Sequence, residues 1–144
     1  KPGNIGAVLR TADGAGASDC LLADPKTDVY NPNAIRASLG TIFAFQPAAA
    51  PSGRVIERLL ELEIDIFAAR VEGACDYDAV DFTGPCAIVL GSEADGLTRA
   101  WNAAKIRAVR IPMLGRADSL NVSAAAAVLL YEARRQRRAR GIGS

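Results

Sequence analysis

The stretch that decides the fold is residues 85–91, Pro-Cys-Ala-Ile-Val-Leu-Gly, which carry the clearest strand signal in the chain. Cys86 to Leu90 form a continuous apolar run that contains β-branched residues, and Pro85 and Gly91 bound it. Such a run is typical of a short strand covered on both faces, as in a parallel sheet. Similar runs occur at residues 21–23, 41–45, 64–69 and 106–111. We therefore expect a sheet of short strands around residues 86–90.

Helical patterns separate these runs. The predicted helices are one capped by Asn4, one starting at Asn31-Pro32, one following Ser52, one from Thr98 to Ala104, and one from Asn121 to about Arg138. Asparagine at the cap and proline in the first turn are both common at helix starts. The alternation predicts an α/β fold, a mostly parallel sheet with helices on both faces. The whole chain, residues 1–144, is long enough for one domain with its own core.

The composition excludes several kinds of chemistry. The chain contains no histidine, which rules out histidine-based catalytic triads, histidine metal ligands and a histidine general base. Its three cysteines, Cys20, Cys75 and Cys86, have unrelated spacings and match neither a disulfide framework nor a zinc site. Their pattern indicates a reducing cytoplasm. No apolar run approaches the length that a membrane span needs.

Charge is unevenly distributed along the chain. Residues 57–81 hold eight acids against Arg58 and Arg70, whereas residues 97–144 hold ten basic residues against Asp118 and Glu132. Clustered arginines of this kind suit a polyanion such as RNA. A solvated helical tail explains the same charge equally well, so charge alone leaves both interpretations open.

Three glycine-rich or polar stretches are either parts of a functional site or ordinary turns and helix ends. Residues 13–17 lack the third glycine of a dinucleotide-binding loop and follow a helix, so they predict a helix end. Residues 91–96, Gly-Ser-Glu-Ala-Asp-Gly, follow the clearest strand, where a ligand often binds, although a capped turn fits equally well. Their two carboxylates alone are weak evidence for a metal, and no metal site is expected. Residues 119–123 place three small polar residues at a helix start, more than capping requires, which favours a functional role.

Taken together, these stretches resemble the motifs of the SpoU/TrmH family of RNA ribose 2′-O-methyltransferases. Residues 4–12 resemble the first motif, residues 88–97 the second, and residues 111–123 the third, with residues 36–40 matching a further common segment. The motifs stand in the family's order, and the resemblance spans residues 4–132. It implies the SPOUT fold, whose C-terminal segment forms a trefoil knot. Unknotted connections are the physical default, so the knot is expected on resemblance alone.

The resemblance also implies a function and a set of site residues. The expected reaction is methyl transfer from S-adenosylmethionine (AdoMet) to a ribose 2′-hydroxyl of structured RNA, with ribosomal RNA favoured over transfer RNA. The residues expected at the cofactor are Ala69, Arg70, Gly91, Ile111, Met113 and Leu120. The expected catalytic residues are Asn4, Arg10, Glu93, Ser119 and Asn121. A guanidinium is a poor base, so we expect Arg10 to clamp an RNA phosphate and stabilise the developing charge on the 2′-oxygen.

The expected assembly is a homodimer with the long C-terminal helix in the interface. The Leu129–Leu130 face fits such a contact, although it could equally serve the core of one chain. Relative to the family pattern, a strand before residues 2–4 and an N-terminal RNA-recognition domain are missing from the sequence. The alternative function is a noncatalytic RNA-binding subunit with the same fold. The presence of Arg10, Glu93 and Asn121 favours catalysis. A small-molecule nucleotide enzyme is a more distant alternative.

Overall fold

Parallel strands form the framework of the protein. The computed structural model describes residues 2–25, 30–39, 46–71, 74–91 and 96–143. Its strands are β1 (Leu21–Ala23), β2 (Ala48–Ala50), β3 (Asp65–Ala69), β4 (Cys75–Asp76), β5 (Cys86–Val89) and β6 (Ile106–Arg110). β1 pairs with β2, and the remaining strands form a four-stranded sheet in the order β4-β6-β3-β5. Every pair in the described residues is parallel, which confirms the predicted sheet type.

The described residues contain four α-helices and two short 3₁₀ helices beside the strands. The α-helices are α1 (Pro2–Ala15), α2 (Pro32–Ser38), α3 (Ser52–Glu61) and α4 (Val122–Ala139). The 3₁₀ helices are Tyr77–Ala79 and Arg99–Asn102. Asn31 caps α2 by accepting a hydrogen bond from the Asn33 amide, as the sequence predicts. The cap predicted at Asn4 is wrong, because α1 already begins at Pro2 and Asn4 lies in its first turn.

Alternate side chains of β3 pack on opposite faces of the sheet. Phe67 joins Leu129 of α4 in one buried cluster, and its ring meets that of Phe82 edge-on with the centroids 4.9 Å apart. Ile66 points the other way, into a second cluster with Val55 of α3 and Trp101. The two-residue period of a strand produces this division. It confirms that helices cover both faces of the sheet.

Several predicted elements differ from the observed ones. The helix predicted from Thr98 to Ala104 is only the 3₁₀ helix Arg99–Asn102. Strands β2 and β4 were not predicted, and the predicted strand at residues 41–45 lies outside the described residues. α3 begins at Ser52 itself, and its start is held by a distant carboxylate. Asp24 accepts hydrogen bonds from the Ser52 amide at 3.2 Å and from its hydroxyl at 2.7 Å.

α1 is held between α2 and α4 by close helix packing. A Cβ atom at Gly6 would lie 2.2 Å from the Ala34 carbonyl oxygen in α2, so only glycine fits there. The knot stays a prediction, since residues 92–95 of the loop after β5 are not among those described. Within the described parts of the chain, no helix has both the length and the hydropathy needed to cross a membrane.

Candidate active site

A cleft of about 520 Å³ opens where α1, α2 and the start of α4 meet. Arg10 and Thr11 line it from α1, and Asn121 and Ser123 line it from the other side. The chain separates Arg10 from Asn121 by more than a hundred residues, and the fold brings both into this cleft. Two of the five predicted catalytic residues therefore share one solvent-accessible space.

Arg10 lies on the exposed side of α1. Its helical neighbours, Leu9 and Ala12, are buried in the packing between helices. Among the described residues, nothing forms an ion pair or hydrogen bond with Arg10. The arginine side chain is a permanent cation with five N–H donors. The cleft therefore offers a site for an anionic ligand.

Asn121 has a structural task as well as a place in the cleft. It is the N-cap of α4, and its Oδ1 accepts a hydrogen bond from the Ala124 amide at 2.8 Å. The same oxygen accepts one from the Ser123 hydroxyl at 2.9 Å. Both contacts use the side-chain oxygen, so the Nδ2 group of Asn121 has no partner among the described residues. Capping therefore uses the Oδ1 atom of Asn121 and leaves its Nδ2 group available to a ligand in the cleft.

The residues predicted at the cofactor gather at another edge. Strands β6, β3 and β5 are neighbours, and they end at Arg110, Ala69 and Val89. Because the strands are parallel, the segments that follow them leave the sheet at one edge. Arg70, Gly91 and Ile111 stand in those segments, and the Arg70 amide donates to the Val109 carbonyl at 2.8 Å. The order of the strands thus places these predicted residues along one edge.

Two features of this edge suit a ligand. The Nη2 atom of Arg70 is buried and has no hydrogen-bond partner in the described protein, an arrangement that is costly unless an acceptor binds there. At Gly91, a Cβ atom would lie 2.6 Å from the Gly96 carbonyl carbon. Glycine at this position therefore lets the two ends of the loop approach each other closely.

Residues 111–121 connect this edge to the cleft. Met113 is half-buried, whereas Leu114 is fully exposed and Leu120 is 36% exposed. Leu120 immediately precedes Asn121, so the residue predicted at the cofactor adjoins the residue that caps α4. The same loop therefore contributes to both regions.

Not every predicted catalytic residue lies in the cleft. Asn4 is half-buried in the first turn of α1, and Ser119 is exposed in the loop before α4. Neither lines the cleft in the described structure. Glu93 lies outside the described residues. The geometry thus brings Arg10 and Asn121 together. The catalytic roles of Asn4, Glu93 and Ser119 stay predictions.

The cleft also includes residues that the sequence analysis did not identify. Thr11 and Tyr131 both line it, and a Cβ atom at Gly14 would lie 2.9 Å from the Tyr131 hydroxyl. The signal in the sequence that could have identified Tyr131 is its helical spacing from other residues of the cleft. Ala124, Ala127 and Tyr131 follow one another at intervals of three and four residues, which places them on one face of α4.

The side chain of Gln136 holds α4 against the segment before β5 through two hydrogen bonds. Gln136 accepts from the Phe82 amide at 2.8 Å and donates to the Val80 carbonyl at 2.9 Å.

On α4 itself, the hydrogen bond from Arg135 lowers the pKa of Glu132 below its ordinary value. Glu132 is therefore ionised at neutral pH and offsets the charge of Arg135.

Two of the three thiols, those of Cys20 and Cys86, are poorly suited to nucleophilic catalysis. Burial, with the charge of Asp19 adding to it, raises the pKa of Cys20 to about 11. Burial also raises the pKa of Cys86. A thiol with a raised pKa holds little of the reactive thiolate at neutral pH.

Comparison with known proteins identifies the family. The model of the SpoU rRNA Methylase family matches residues 1–131. The chain belongs to this family. The SpoU methyltransferase AviRb from Streptomyces viridochromogenes has the same fold as this chain. Its structure was solved in complex with the cofactor AdoMet. The two agree with a TM-score of 0.89 and 36% identity over 96% of this chain and 57% of AviRb.

Relatives within the SpoU family act on different RNAs. A 23S rRNA (uridine(2479)-2′-O)-methyltransferase from Streptomyces viridochromogenes is 39% identical over 94% of this chain and 50% of its own length. A tRNA (guanosine(18)-2′-O)-methyltransferase from Thermus thermophilus is 34% identical over 99% of this chain and 73% of its own length. The chain spans about half the length of several ribosomal RNA relatives that it matches.

Proposed function

We propose that this protein is an AdoMet-dependent methyltransferase that modifies a ribose 2′-hydroxyl of structured RNA, and that its substrate is ribosomal RNA. The observation that carries the proposal is the cleft shared by Arg10 and Asn121 in a chain of the SpoU family. A cation and an amide donor beside an open cleft suit a sugar-phosphate backbone. Residues 1–144 would form the catalytic domain.

The edge formed by β6, β3 and β5 fits the cofactor chemically. AdoMet supplies a methyl group on a sulfonium, an activated donor. Arg70 offers a buried donor that has no partner among the described residues, which suits a carboxylate such as that of AdoMet. Backbone groups around Gly91 and Ile111, together with the side chains of Met113 and Leu120, would provide the remaining surface. Ala69 would complete it at the end of β3.

The protein's own residues would align the sugar and stabilise charge. Arg10 would bind a phosphate and lower the energy of negative charge that develops on the 2′-oxygen. The Nδ2 group of Asn121 would donate to the nucleotide, since its Oδ1 is engaged in capping. Ser119 would extend this polar wall, and Glu93 would orient Asn4, Arg10 or the sugar. The proton of the hydroxyl would leave through phosphate or water, because guanidinium does not accept it.

We further propose a cytoplasmic homodimer with α4 in the contact. Leu129 is fully buried within its own chain, so that part of the predicted face serves the core. The contact would then use the first half of α4 around Leu130, which is half-buried. Sedimentation of the purified protein tests this assembly directly.

The decisive experiment measures AdoMet binding and methyl transfer separately. We expect Leu120→Arg to abolish AdoMet binding in calorimetry, because an arginine there would fill the proposed pocket. The matched control is Leu62→Arg, at a residue 51% exposed directly after α3. The control should bind AdoMet like the wild type. A folded wild-type protein that binds no AdoMet would contradict the proposal and favour the noncatalytic RNA-binding subunit.

Arg10→Ala separates the two halves of the proposed site. We expect this variant to bind AdoMet normally and to lose methyl transfer to ribosomal RNA. The reason is that Arg10 lies in the cleft and not at the proposed cofactor edge. Loss of AdoMet binding in Arg10→Ala would contradict the role given to Arg10.

A further inference from the structure

The arginines of α4 do not form one uniform charged tail. Arg137 donates to the Gly84 carbonyl at 2.8 Å and to the Phe82 carbonyl at 3.2 Å. Arg140 donates to the Thr83 hydroxyl at 3.0 Å. These two arginines tie the helix to the segment before β5. They are therefore committed to the fold and not available to a ligand.

The other three arginines line a groove on the outer side of the helix. Arg134, Arg135 and Arg138 surround a space of about 560 Å³, and Tyr131 stands at one end of it. Arg135 pairs with Glu132 at 2.7 Å, whereas Arg138 has no ion-pair or hydrogen-bond partner in the described part of the chain. No acidic side chain among the described residues lines the groove. The groove therefore carries uncompensated positive charge.

This groove continues into the cleft described above. Tyr131 lines both spaces, and Arg134 donates to the Gly14 carbonyl at 3.3 Å beside the same cleft. Arg134 and Arg138 are four residues apart, so they repeat along the helix axis at about 6 Å. Cationic groups thus extend in one direction from Arg10, past Tyr131, along the second half of α4.

We propose that the groove formed by Tyr131, Arg134, Arg135 and Arg138 binds the phosphate backbone of an RNA strand that leaves the cleft. The proposal rests on the proposed function for the identity of the ligand, and it assigns a surface that the reaction itself does not require. Arg134 and Arg138 bind phosphates, and Tyr131 offers a ring on which a base stacks. The proposed homodimer contact uses the first half of α4 around Leu130, and charged residues are depleted from the cores of protein interfaces, so this charged groove in the second half is assigned to RNA.

The test compares two double variants of equal charge. Arg134→Gln with Arg138→Gln removes the proposed contacts. The control, Arg54→Gln with Arg99→Gln, removes two exposed arginines on the α3 side of the sheet. The probe is a short fluorescent single-stranded RNA of mixed sequence without AdoMet, and its affinity is measured over a series of KCl concentrations. Each lost phosphate contact reduces the salt slope by about 0.7, which corresponds to roughly fivefold in affinity at about 0.1 M salt.

We expect the α4 variant to bind RNA about 25-fold more weakly at about 0.1 M salt and to show a slope smaller by about 1.4. The control should differ from wild type much less. Arg138→Gln alone guards against misfolding, because Arg138 forms no contact within the described chain that the change would break. It should show about half of the slope change.

Other outcomes overturn the proposal. Equal losses in both double variants would indicate a general charge effect, and an unchanged affinity in the α4 variant would exclude phosphate binding there. A change in sedimentation without a change in RNA affinity would assign the groove to a protein contact. The binding assay requires no cofactor, so it tests the groove independently of methyl transfer. An absence of methyl transfer would contradict the proposed function, but it would not test whether the groove binds RNA.

Discussion

The sharpest prediction concerns Asn121, whose two side-chain atoms have separate tasks. Its Oδ1 caps α4 through the Ala124 amide at 2.8 Å, while its Nδ2 has no partner among the described residues. Asn121→Ser retains a good N-cap oxygen and removes the amide donor. Asn121→Ala removes both. The pair of variants therefore separates the stability of α4 from any contact to the substrate.

The magnitudes follow from the contacts. Asn121→Ala should lower the free energy of unfolding by about 1 kcal/mol, the usual effect of removing a cap, whereas Asn121→Ser should change it by only a few tenths. A hydrogen bond to a charged or developing charged group contributes about 1.5–3 kcal/mol, so both variants should slow methyl transfer about 10- to 100-fold.

Chemical unfolding and single-turnover methyl transfer with labelled AdoMet measure these two effects independently. Asn121→Ser at wild-type stability with slow transfer is the expected result. Full transfer activity in Asn121→Ser would show that the free amide does not act on the substrate. A large loss of stability in the same variant would show that the cap depends on more than the side-chain oxygen.

Three further predictions concern the fold and the thiols. Gly6→Ala should lower the free energy of unfolding by about 3 kcal/mol or more in denaturant titrations, since its Cβ would lie 2.2 Å from a carbonyl oxygen of α2. The control Gly3→Ala, with open space around the position, should be neutral. Gln136→Ala should cost about 2–3 kcal/mol in the same assay, because it leaves two part-buried backbone partners unsatisfied. At pH 8, exposed Cys75 should be alkylated well before Cys20, since a thiol with a pKa of about 11 is ionised only to about one part in a thousand; equal rates measured by mass spectrometry would contradict the burial of Cys20.

The strongest sequence patterns predicted the core of the fold correctly. The apolar run at residues 86–90 became β5, and the long helix predicted from Asn121 became α4, which Asn121 caps. β2 was not recognisable because its three residues are all alanine, which has low strand propensity. β4 consists of two residues at the edge of the sheet, and it is defined by its pairing with β6 more than by its own sequence.

The candidate site was predictable only where a motif marked it. Arg10 and Asn121 were identified by their motifs, but their meeting in one cleft depends on how α1 packs against α4. Tyr131 was not predicted as a site residue, because its place in the cleft depends on which face of α4 remains uncovered after Leu129 has been buried. Asp24, which holds the start of α3 from 28 positions away, shows the same dependence on tertiary contacts.

The charge of the C-terminal third illustrates why counting residues gives the wrong expectation for RNA binding. If all five arginines of residues 134–140 contacted phosphates, they would contribute about −3.5 to the salt slope of binding, at about 0.7 for each contact. The structure divides them differently, because Arg137 and Arg140 bind the protein's own carbonyl and hydroxyl groups and Arg135 is offset by Glu132. Arg134 and Arg138, together with Arg10 from α1, would then contribute about −2 to the slope. Side-chain partners, rather than position in the sequence, therefore separate the arginines that bind the protein's own groups from those that the proposed groove leaves available to phosphate.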